Sequence, residues 1–140
     1  MPDLFESVGA PDAAAEEFDV GRSIWLGPLT ILSAIAAVLA TRWAGLKAVT
    51  LPRRFEPLGV GPTVVDTFIL VTIAVFVFAS VAGSGRAHPR RRYRIIAFAC
   101  LLVSFVPDLL ITATWPLKSL LIAEHVAAWL VTVELLTRLA

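Results

Sequence analysis

The chain has 140 residues and a net charge of +1, with 58% hydrophobic residues, only 16% charged residues and a mean hydropathy of +0.82. Soluble domains carry about a quarter charged residues, so this balance excludes a disordered protein and a nucleic-acid-binding domain and argues against a soluble globule. One cysteine, Cys100, excludes an intrachain disulfide framework and any Cys-based zinc or iron–sulfur set within one chain.

The chain opens on Asp3, Glu6, Asp12, Glu16, Glu17 and Asp19 with no base before Arg22. A secretory signal has a basic start and a short apolar core; this is the reverse. Residues 1–22 are therefore expected to form a solvated acidic tail, with a docking strip for a basic partner as the alternative, and residues 23–140 a membrane domain. A bilayer core of about 30 Å takes roughly 17–25 apolar residues as a helix. Four stretches fit, over about 24–40, 64–82, 95–115 and 117–136. Leu26 to Ala40 and Phe68 to Ala82 contain no charge on any face, which suits lipid and not water. A spanning backbone must satisfy its own hydrogen bonds, so the expected fold is all-α, an integral membrane four-helix bundle.

Between the first two spans, Pro52, Pro57 and Pro62 oppose a continuous helix, and Leu51, Phe55 and Leu58 are expected to press that loop onto the bundle. Trp25, Trp43, Tyr93 and Trp115 fall where spans should meet headgroups, whereas Trp129 falls inside the bilayer. Ser33, Ala37 and Thr41 recur every four residues, a register that lets another helix of this chain or of a partner approach. One side of the membrane would carry Arg22, Arg86, Arg90, Arg91, Arg92, Arg94 and Arg138; the other would carry Arg42, Lys47, Arg53, Arg54 and Lys118. The positive-inside rule then places both termini in the cytoplasm. The cluster Arg86, Arg90, Arg91, Arg92 and Arg94 sets this topology and is suited to anionic headgroups, at about 1 kcal/mol per residue near the surface.

Charge inside the spans is the informative anomaly, because an Asp at a helix centre costs roughly 3 kcal/mol to insert and usually faces the bundle or a cavity. If the third hairpin turns at Trp115-Pro116, Asp108 lies eight residues before Pro116, and Glu124 and His125 lie eight and nine after it. All three would then sit about 12 Å from the turn, at one level. Cys100, Ser104, Asp108 and Thr112 recur every four residues in one stripe, and Asp66 enters from the same side. The expectation is a polar pocket of Asp66, Ser104, Asp108, Thr112, Glu124 and His125 in the non-cytoplasmic half. Pro107 predicts a kinked or broken helix. Asp108 with His125 reads as a structural pair, a proton relay or a ligand site.

A metal set from Asp108, Glu124 and His125 lacks the paired Glu-x-x-His pattern. With His88 in the loop, His125 is the only membrane histidine, which excludes a bis-His haem within one chain. Phosphate-loop, nucleophile-elbow and metalloprotease motifs are absent, so no catalytic residue, metal or cofactor is assigned. Glu134 and Arg138 form an ordinary i,i+4 pair.

The stretches RRRYRIIAFACLLVSFVPDLL and LIAEHVAAWLV resemble a family of uncharacterised four-helix bacterial membrane proteins, a domain of unknown function, over about residues 90–130. That family's Ser-x-x-Pro element in the third helix and histidine in the fourth correspond to Ser104, Pro107 and His125. Asp108 stands where the family has a proline or apolar residue, Glu124 where it has Met, and VLATRWAGL lacks its late Asn. The resemblance implies the four-span fold and no activity. Two functions stay open: a non-enzymatic accessory or structural subunit of a larger membrane complex or a lipid- or pigment-binding bundle, and an oligomeric transporter of protons or a small solute through the polar pocket. The expected partners are membrane lipid and complex subunits or further copies of the chain, without nucleic acid.

Overall fold

A computed structural model describes residues 20–48 and 59–139. Four helices follow one another: α1 Val20–Leu46, α2 Val60–Ala82, α3 Pro89–Leu110 and α4 Trp115–Leu139. At 1.5 Å per residue they run from about 33 Å for α3 to about 40 Å for α1, and each is long and apolar enough to cross a membrane. No strand occurs among the described residues. The acidic stretch before Val20 and the side chains of Leu51, Phe55 and Leu58 lie outside them.

Two buried clusters establish the topology. Leu26, Phe78, Tyr93, Val133 and Leu136 meet at one end, so early residues of α1 and α3 lie beside late residues of α2 and α4. At the opposite end Leu117, Leu120 and Leu121 pack with Leu46 and Ile111. The bundle is therefore up-down-up-down, with the arginine-rich 83–94 stretch at the first end, here called the arginine end. The helix most buried is α4, and its main partner is α1; α2 and α3 are the least closely packed pair of chain neighbours. Large apolar side chains such as Phe68, Ile73, Phe76, Leu102 and Val103 stand on the outside, the inverse of a water-soluble bundle.

The third helix departs from expectation at both ends. It begins at Pro89, six residues before the expected span, behind a left-handed His88 (φ 57°, ψ 57°) whose carbonyl accepts the Arg92 N–H at 3.2 Å. Nor does Pro107 break it. Val103 loses its helical donor there, but the ladder resumes where Ile111 N–H donates to the Pro107 carbonyl at 3.0 Å. The backbone leaves the helix at residues 111–114 instead, with Ile111 extended (ψ 141°), so Trp115 opens α4 and does not close α3. Lys118 Nζ donates to the Leu109 carbonyl at 2.7 Å, satisfying one of the acceptors that the end of α3 leaves open.

Tyr93 differs from the other aromatic residues expected at the headgroups in facing the bundle interior. Because α3 starts at Pro89, Tyr93 lies in its second turn, and the ring turns inward, 1% exposed, edge-on to Phe78 at 5.0 Å. Trp25, Trp43 and Trp115 are exposed as expected of a belt, and Lys47 lies over the Trp43 ring at 3.5 Å. Trp129 is half-buried and packs edge-on against the exposed Phe98.

On α1 the buried register is Thr30, Ala34 and Val38, beside the half-buried Ser33, Ala37 and Thr41. Further along, Gly45 lets α1 approach α4: a Cβ there would run into the buried Leu120 side chain. Gly45→Val should cost about 1–2 kcal/mol net, overpacking outweighing the better helix propensity, as read by the melting temperature in detergent.

Candidate functional site: a polar chamber among the helices

Asp108 and His125 meet. His125 Nδ1 lies 3.1 Å from Asp108 Oδ2 and 3.0 Å from the Leu121 carbonyl one turn earlier in α4. The Nδ1–H direction suits the carbonyl, leaving Oδ2 a charge contact without a directed hydrogen bond. With Nδ1 so engaged, Nε2 is the ring nitrogen left to give or accept a proton.

The shared level was expected, but the geometry that produces it is different. From Asp108 only two helical residues remain, about 3 Å. Residues 111–114 then form a bent, non-helical link, with Ile111 extended and the Ala113 N–H donating to the Ile111 carbonyl at 3.0 Å, before α4 returns. Ten residues down α4, about 15 Å, the chain reaches His125. A shortened helix and a bent link thus replace two full helices.

Glu124 is buried beside them, and its charged neighbours are Arg42 and Asp108. Arg42 is the functional residue that sequence reasoning missed, having been counted as a loop cation. The signal was present: TRWAGL contains no breaker before Gly45, so α1 continues to Leu46 and carries Arg42 one turn inside its end. Arg42 Nη1 and Glu124 Oε1 are both buried without a hydrogen-bond partner among the described residues.

These groups adjoin a chamber of about 410 Å³. α2 contributes Thr63, Asp66 and Thr67, α3 contributes Pro107 and Asp108, and α4 contributes Glu124 and His125. Asp66 is exposed and stands at the rim. Thr67 Oγ1 donates to the Thr63 carbonyl at 2.7 Å, whereas the Thr63 hydroxyl is buried and unpartnered. Toward the arginine end the chamber adjoins a largely apolar cavity, beside which lies the apolar cluster around Tyr93 and Leu136, each 1% exposed.

Two expected members lie elsewhere. Ser104 donates back to the Leu101 carbonyl at 2.7 Å and borders a neighbouring apolar cavity, which it shares with His125. Thr112 is exposed in the link, because the helix that would have kept it in the Asp108 stripe stops at Leu110. The basic cluster lies at the other end of the molecule. Arg94 Nη2 donates to the buried Thr137 hydroxyl at 2.9 Å, Arg86 and Arg92 border a groove between α2 and α3, and Arg91 faces α4 with Arg94. Glu134 and Arg138 form their surface ion pair.

Chemically, Asp108, Glu124 and His125 line the chamber together, Asp66 stands at its rim, and Arg42 lies near Glu124. Such a set can take up a proton or hold a small polar solute. Among the described residues no three His, Cys, Asp or Glu side chains converge as a metal site would require. Comparison of the chain with protein-family models, with curated proteins and with solved structures gave no match.

Proposed function

We propose that this integral membrane protein is a non-enzymatic accessory or structural subunit of a larger membrane complex, seated in a bacterial inner membrane with both termini cytoplasmic. The observation that carries the reading is the apolar character of the interior beyond the chamber. Independent transport needs a polar route to both faces, yet the space that leads from the chamber toward the arginine end is walled almost entirely by apolar side chains, with only isolated hydroxyl and indole groups along it. The wide apolar faces of α2 and α3 are available for lipid or a larger subunit to cover. The arginines at one end support the orientation through the positive-inside rule.

Gentle detergent extraction from native membranes, followed by native mass spectrometry and an absorption spectrum, tests the reading. Co-elution with larger subunits is the expected result, and a colourless lone species overturns it. Visible absorption bands would shift the role to pigment binding.

The 3.1 Å contact between Asp108 and His125 beside an open chamber favours a second reading, proton or small-solute transport by an oligomer that bypasses the apolar interior. Under it, Asp108→Asn and His125→Ala abolish pH-dependent flux in liposomes while the fold persists. Absence of flux through the unmodified protein sets this second reading aside.

A further inference from the structure

We infer that the seam between α2 and α3 binds one anionic phospholipid, with its phosphate between Arg86 and Arg92 and one acyl chain drawn into the bundle past Tyr93. The site holds whether or not the chain joins a larger complex.

The arginines first sort by groove. Arg86, in the turn after α2, and Arg92, in the first turn of α3, border a groove of about 600 Å³ whose walls include Phe76, Val81 and Ile95. Neither guanidinium has an ion-pair or hydrogen-bond partner among the described residues. Arg91 and Arg94 lie on the other side of α3 with Glu134, and Arg94 is already engaged by Thr137. Two free cations at the end of an apolar groove suit an amphiphile whose anion sits at the membrane surface.

This groove continues inward. Ile73, Val77 and Ile96 line both it and a second cavity of about 210 Å³ that reaches Leu101, Trp129 and Thr132. The inner cavity is walled almost entirely by hydrocarbon, and the two helices that flank its entrance are the loosest chain-neighbour pair in the bundle. An acyl chain fills such a space where side chains do not.

Polar atoms along the route point to an ester as well. The Tyr93 hydroxyl, the Trp129 indole N–H and the Thr132 hydroxyl are buried without a hydrogen-bond partner among the described residues, and all three residues border the inner cavity. Unpaired buried donors are uncommon enough to call for a missing acceptor. Tyr93 follows Arg92 directly, one residue deeper into the bundle from the arginine end, and in a phospholipid the ester carbonyls lie just beneath the phosphate. Those carbonyls only accept hydrogen bonds, which matches donors left without partners.

The test titrates the delipidated full chain with phosphatidylglycerol, phosphatidylcholine of matched chains, or oleate, with bound lipid counted by native mass spectrometry. One phosphatidylglycerol should bind, at least about tenfold more tightly than phosphatidylcholine or oleate. Arg86→Gln/Arg92→Gln should weaken it about 30-fold, from about 1 kcal/mol per arginine, whereas Arg91→Gln should change it by less than about twofold. Ala97→Phe, which fills the inner cavity, should weaken binding while circular dichroism shows the helices retained; Ala74→Leu repeats the test from the α2 wall by a smaller step. The proposal is overturned if Arg91→Gln is as damaging as the double variant. It also fails if phosphatidylcholine or oleate matches phosphatidylglycerol, or if a filled cavity binds as before.

Discussion

His125→Leu is expected to destabilise the bundle by about 3 kcal/mol, and adding Asp108→Leu to it should restore most of that loss. Asp108 is buried, and the His125 ring at 3.1 Å is its only ion-pair partner among the described residues. Leucine at 125 leaves the buried carboxyl without its ion-pair partner and beside a second carboxyl, Glu124. Losing one member of such a pair typically costs 3–5 kcal/mol, roughly, whereas replacing both by apolar residues is neutral or stabilising. Asp108→Leu alone should cost less, about 1 kcal/mol, because Nδ1 keeps the Leu121 carbonyl. Thermal unfolding of the three variants in detergent closes the cycle. A double variant as unstable as His125→Leu would mean that the two side chains are energetically independent despite their contact.

Tyr93→Ala should be similarly damaging, at about 3 kcal/mol, and Tyr93→Phe should be nearly silent in delipidated protein. The ring is 1% exposed and packs edge-on against Phe78, so truncation leaves a cavity that four helices border. The low end of the range for aromatic-to-alanine changes applies, since in hydrocarbon the transfer from water contributes little. The hydroxyl has no hydrogen-bond partner, so its removal forfeits none. The same packing predicts a permeability effect. Liposomes carrying Phe78→Ala/Tyr93→Ala should leak protons where the unmodified protein holds a gradient, and equal tightness in both would show that this cluster is not what seals the bundle.

Much of the architecture was legible because charge-free runs such as Phe68 to Ala82 admit only one environment. The encounter of Asp108, Glu124 and His125 was legible too, since a short hairpin ties depth to sequence distance. What failed depended on where helices stop. Proline at 107 disfavours the helix locally, yet one lost bond was insufficient to end α3, and the helix gave way three residues later at Leu110. That shift moved Thr112 out of the pocket and Trp115 into the next helix. A helix starting earlier than expected turned Tyr93 into the bundle, and one ending later brought Arg42 toward Glu124. Boundaries depend on packing and capping partners that come from other parts of the chain, such as Lys118 on the Leu109 carbonyl.

The position of α4 at the centre of the bundle has a consequence for biogenesis. Of the four helices it leaves the ribosome last, yet it supplies α1 with its principal partner. During synthesis Arg42 and Asp108 enter the membrane before Glu124 and His125, their charged neighbours in the finished bundle, exist. Insertion of residues 115–139 supplies those neighbours and completes the core in one step. A membrane quality-control protease that samples intramembrane charge would thus distinguish finished from unfinished chains by the arrival of a single helix.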